Sequence, residues 1–144
     1  MNPYEPPTTD AVRQSVRLYS PQQVAAAAFL GTPIAAAWLF ASNFSALGDR
    51  RGRQRALAWG LIGTVAILAV SFVLPERFPN LVLPMAYTMG IRELAKLVHG
   101  PAFKSHLAAG GPRQSNWRVL GIGLAGLVIA GSVVLAVAFV LPAD

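Results

Sequence analysis

VAAAAFLGTPIAAAWLFASNFSAL, Val24 to Leu47, is a run of 24 residues without a charge. As a helix it is about 36 Å long at ~1.5 Å per residue, enough to cross a bilayer with some tilt. The four residues before and into it, Ser20-Pro21-Gln22-Gln23, read as a helix start. Serine suits the N-cap, proline the first helical position, and glutamine at the third position completes a capping box. Pro33 interrupts the run. Proline removes a backbone hydrogen bond, so the sequence predicts a kink at Gly31-Thr32-Pro33 within one membrane helix, with the Thr32 hydroxyl bonding back to the backbone.

The rest of the chain agrees with a membrane class. Its 144 residues are 54% hydrophobic and 12% charged, against about 25% charged in an ordinary soluble domain. Three further apolar segments follow: Ala56 to Leu74, Leu81 to about Val98, and Val119 to Leu141. The second and fourth segments are uncharged and long enough to cross. The third spans only if Arg92, Glu93 and Lys96 lie near the interface, where long cationic side chains snorkel. A polar turn, PERFPN at 75–80, joins the second and third. Between the third and fourth, proline and glycine bracket AFKSHLAA, which reads as a short helix on the membrane surface. The predicted fold is all-α, with four transmembrane helices at about 22–47, 56–74, 81–98 and 119–141, paired as two helical hairpins. Residues 1–20 read as a flexible polar tail rather than a cleaved leader.

Part of the sequence recurs. RALAWGLIGTV (Arg55 to Val65) matches RVLGIGLAGLV (Arg118 to Val128), and LAVSFVLP (Leu68 to Pro75) matches LAVAFVLP (Leu135 to Pro142) with one difference. The match predicts a parallel internal repeat of two hairpins. Within it lies GIGLAG, Gly121 to Gly126, spaced as a dinucleotide-binding turn. That chemistry requires a preceding strand and an acid about 20 residues on, whereas the run here is apolar and the next acid is Asp144. These glycines read as helix-packing positions. Small residues at four-residue spacing let membrane helices approach closely, which assigns Ala27-Gly31-Ala35, Ala56-Gly60-Thr64, Ala86-Gly90 and Gly121-Ala125 to contact stripes. Gly63, Gly123 and Gly126 join them, and segment four is expected to meet segment two or its symmetry mate.

The net charge is +6, and the cations flank apolar runs, which favours topology and anionic lipid over nucleic acid. The loop 48–55 carries Arg50, Arg51, Arg53 and Arg55, and the region 92–118 carries Arg92, Lys96, Lys104, Arg113 and Arg118, nine against Arg13, Arg17 and Arg77. The positive-inside rule therefore puts the basic loops 48–55 and 99–118 in the cytoplasm, with both termini outside. Trp117 suits an interface anchor.

Candidate chemistry is sparse. The chain has no cysteine, which removes thiol and thiolate-metal chemistry. His99 and His106 are separated by Gly100-Pro101, so no metal site is expected, nor a catalytic set or a cofactor. Glu93 is the one acid inside an apolar segment. With Arg92, Lys96 and Asn43 it forms a candidate polar cluster for a lipid headgroup or a proton, set against a plain ion pair that ends the helix. Taken together, the residues point to a non-enzymatic scaffold or accessory subunit working through helix packing, in a homo-oligomer or larger membrane complex. The alternative is a small oligomeric transporter or channel using the cluster around Glu93.

The stretch YSPQQVAAAAFLGTPIAAAWLFASNFSALG (Tyr19 to Gly48) resembles small bacterial integral membrane proteins without an assigned activity. Shared features are a Ser-Pro-x-Gln-Val helix start, Phe-Leu-Gly-x-Pro, and an asparagine before Leu-Gly. HLAAGGPRQSNWRVLGIGL (His106 to Leu124) is similar to the stretch before their last helix. The resemblance covers about a third of the chain and implies a multi-span architecture.

Overall fold

The computed structural model describes residues 16–75, 77–79 and 81–140. Residues 1–15 of the expected tail, with Arg13, and the expected helix end at Leu141 lie outside the described residues. Four helices follow one another: α1, Pro21–Ala46; α2, Arg50–Val73; α3, Val82–Ala108; and α4, Asn116–Val140. The protein is all-α in these residues, and α1, α2 and α4 are long and apolar enough to cross a membrane. In α3, Arg92, Glu93 and Lys96 interrupt the apolar stretch.

The first helix begins as its sequence dictates. Gln23 N donates to Ser20 Oγ at 3.2 Å and Ser20 N donates to Gln23 Oε1 at 2.9 Å, a complete capping box with Pro21 in the first turn. Ten residues later the helix breaks. Gly31 has φ −125°, ψ 22°, and Thr32 has φ 68°, ψ 174°. Pro33 cannot donate, and its ring pushes the preceding residue out of the α region, which Thr32 obeys with its extended ψ. The result is a reversal, far larger than the expected kink. A straight helix would hold residues 24 apart at about 36 Å, yet Tyr19 N lies 2.8 Å from Asn43 Oδ1. Residues 21–30 and 33–46 are therefore two antiparallel arms folded back at Gly31-Thr32-Pro33. Small residues line the seam: Ala27, Ala28, Ala35 and Ala36 are all buried, with Val24, Leu39 and Phe40. The arms are about 15 and 21 Å long, which reaches the middle of a ~30 Å hydrocarbon layer but does not cross it.

This folded-back α1 is the centre of the molecule. In its most apolar 18 residues 67% are buried, against 11% in α2 and 17% in α4. Each of α2, α3 and α4 packs against α1. The second arm of α1 runs antiparallel to α2: Gly52 meets Phe44, Gly60 meets Ala37 and Gly63 approaches Pro33. Helix α4 meets α1 around the reversal, where Gly123 abuts Leu30 and Gly126 abuts Gly31 and Ala35. The matched glycines of the repeat thus each rest on α1 and do not face each other. Segment four does not rest on segment two as expected. The packing stripe of α4 is Val119, Gly123, Gly126 and Ala130; Gly121 and Ala125 are exposed, as are Ala86 and Gly90 in α3.

Two helix boundaries also move. Asp49 caps α2 by accepting from Gly52 N at 2.8 Å, so Arg50, Arg51, Arg53 and Arg55 stand exposed on the first turns of the helix and not in a loop. Helix α3 continues through Pro101 to Ala108 and absorbs the expected separate surface helix; Pro101 is exposed, where one missing backbone bond does not end a helix. The outer faces are densely apolar, with Trp59 70%, Val73 85% and Phe139 90% exposed. Water penalises such a surface and lipid does not.

Candidate functional site

Three arrangements of side chains stand out, all built on α1. The first is a clasp at its open end. Asn43 is 1% exposed; its Oδ1 accepts from Tyr19 N at 2.8 Å and its Nδ2 donates to Tyr19 O at 3.0 Å. The asparagine treats the N-terminal segment as a β-partner would. Gln23 Nε2 donates to Gln114 O at 2.8 Å and to Asn116 Oδ1 at 2.7 Å, and Gln114 N donates to Leu18 O at 3.1 Å. Residues 18–20, the end of α1 and the α3–α4 connection therefore share one end of the molecule. The N-terminal segment does not lie opposite the basic regions, contrary to the expected arrangement, because α1 turns back before reaching the far end.

The expected polar cluster is divided. Lys96 Nζ lies 2.7 Å from Glu93 Oε1, with both side chains exposed on α3. Arg92 is exposed beside them, while Asn43 is committed to Tyr19. The histidines also part. The His106 ring lies 3.1 Å from Pro112 O through Nε2. His99 is 3% exposed and packs on α1 with ring centroids 5.1 Å from Phe40 and 4.4 Å from Phe44. Neither of its nitrogens has a partner among the described residues. Sequence reading missed this burial because a histidine beside Gly-Pro resembles a loop residue.

The second arrangement is an apolar cleft of about 590 Å³. Helices α2 and α3 both rest on the second arm and splay apart. The floor is Pro33, Ala36, Ala37 and Phe40, and the walls include Trp59, Gly63 and Ala66 from α2 and Tyr87, Ile91 and Leu94 from α3. Arg55 stands at the end nearest the clasp.

The third is a polar pocket of about 330 Å³ on the other flank of α2. Arg17, Arg53 and Arg118 line it with Tyr19, Trp38, Ser42, Ser45 and Gln114. Burial pushes the Tyr19 phenol pKa up, and the positive charge of Arg118 works against that rise. None of the three arginines forms an ion pair among the described residues. Arg53 belongs to the basic run legible in the sequence; Arg17 and Arg118 are distant in sequence and join it only through the clasp.

The all-α fold, with three helices long and apolar enough to cross a membrane, fits the class of α-helical membrane proteins. Protein-family models, curated proteins and solved structures offer no match to the chain.

Proposed function

We propose that this chain is a non-enzymatic scaffold or accessory subunit of the bacterial inner membrane, acting by packing against a partner's transmembrane helix. The observation that supports this is the α2–α3 cleft. Small residues, Ala36 and Ala37 on its floor and Gly63 and Ala66 on its α2 wall, lie among the lining, the residue types that let a second helix backbone approach in lipid. From Arg55 to Ile67 the cleft follows α2 for about 18 Å, long enough for several turns of a docked helix.

The absence of cysteine permits a direct test. A photocrosslinker attached at Ala66→Cys, within the cleft, should capture a defined membrane protein. One attached at Val65→Cys, on the lipid-facing side, should not. Filling the cleft from the facing helix with Leu94→Trp, in the Ala66→Cys background, should abolish the capture without lowering the amount of folded protein. Capture of the same species from both positions, or of lipid alone from Ala66→Cys, would overturn the reading.

The same reading gives the molecule three crossings, α2, α3 and α4, around a re-entrant α1. Arg17 then joins the nine cations of the basic regions and leaves Arg77 as the one described cation at the other end. The positive-inside rule is served better by this arrangement than by four crossings. The N-terminal segment is then cytoplasmic and the end of α4 is outside.

A further inference from the structure

We propose that the pocket between the N-terminal segment, α2 and α4 binds the headgroup of an anionic phospholipid carrying more than one negative charge. Arg17, Arg53 and Arg118 come from three separate parts of the chain and line one cavity of about 330 Å³ with Tyr19, Trp38 and Gln114. Three guanidinium groups sharing a cavity repel one another unless an anion lies between them, and guanidinium forks match phosphate oxygens in geometry as well as charge. Among the described residues no acidic side chain lines the pocket. Gln114 also lines the pocket, and its Oε1 is buried without a partner among the described residues.

The level of the pocket points to lipid. Arg53 and Arg118 each lie within the first turn of their helices, and Arg17 lies four residues before α1 begins. All three sit where α2 and α4 enter the membrane, and the N-termini of both helices add partial positive charge. Trp38, 55% exposed, stands beside them as an aromatic of the interfacial belt. Basic pockets between membrane helices at the cytoplasmic surface suit lipids with several phosphate charges. The site lies on the opposite flank of α2 from the cleft, so a failure here leaves the scaffold reading standing, and the converse also holds.

The test uses the full chain purified in mild detergent, titrated with cardiolipin, phosphatidylglycerol, phosphatidylcholine and inorganic phosphate and read by native mass spectrometry. We expect one cardiolipin retained per chain, weaker retention of phosphatidylglycerol and none of phosphatidylcholine. Arg53→Gln and Arg118→Gln should each weaken cardiolipin binding by about tenfold or more, the scale of a hydrogen bond to a charged group. Arg51→Gln, exposed on α2 and outside the pocket lining, should leave it unchanged. Matching SDS-unfolding midpoints without lipid establish that each variant is folded. An equal loss with Arg51→Gln would reduce the effect to diffuse charge and overturn the site. Displacement of cardiolipin by inorganic phosphate at equal concentration would assign the pocket to a free anion instead. A tenfold gain on removing residues 2–12 would assign it to the chain's own Glu5 or Asp10, again overturning the proposal.

Discussion

Thr32 is the residue on which the fold turns. Its φ of 68° with ψ 174° lies in a region that β-branched side chains avoid, at a cost of about 1–3 kcal/mol. Its hydroxyl is buried without a partner, so the expected back-bond to the helix does not form. The surrounding geometry supplies the compensation: Pro33 forbids a continued helix, and the Gly31 carbonyl lies against Gly126 of α4. Replacing Thr32 by glycine removes the strain and the unpaired hydroxyl while keeping the reversal. Thr32→Gly should raise stability by about 1 kcal/mol, seen as a higher SDS-unfolding midpoint. A lower midpoint would mean that the threonine side chain holds the turn. Proline within an apolar run showed in the sequence as a break; its size did not, because a kink and a reversal follow from the same lost hydrogen bond.

Among the elements, the glycines of α4 separate by face. A Cβ on Gly126 would strike the Gly31 carbonyl and lie 3.0 Å from Ala35 Cβ, whereas one on Gly121 meets nothing within 4 Å. Gly126→Leu should therefore destabilise the fold by about 1–3 kcal/mol through overpacking, and Gly121→Leu should cost nothing measurable. SDS titration of the two variants side by side checks this; equal effects would mean that α4 does not meet α1 through this face. Gly31, Gly60, Gly63, Gly123 and Gly126 each lie against a neighbouring segment and Gly121 does not. Four-residue spacing in α4 admits two overlapping stripes, Gly121-Ala125 and Val119-Gly123. Choosing between them requires knowing where the partner helix lies. The paired motifs around Gly60 and Gly126 suggest mutual contact, but each rests on α1, Gly60 on Ala37 and Gly126 on Gly31 and Ala35.

For the whole molecule, the reversal in α1 brings Leu18 and Tyr19 to the end that holds the α3–α4 connection. Fused to a bacterial inner-membrane form of the protein, an N-terminal green fluorescent reporter should glow, and alkaline phosphatase at the C-terminus should be active. A dark N-terminal fusion with active phosphatase on the same segment would restore four crossings. The membrane class, the four helical segments, the Ser20 capping box and the break at Gly31-Thr32-Pro33 were set by the sequence itself. They depend on composition and on contacts a few residues long. The tertiary structure alone decided that α1 folds back, that Asn43 clasps Tyr19 in place of joining Glu93, and that Arg17, Arg53 and Arg118 share a pocket. Each of these joins residues at least 24 positions apart. Local propensity is indifferent to such pairs: the same Gly-Thr-Pro suits a kinked span or a hairpin, and packing of small residues across the seam selects the hairpin.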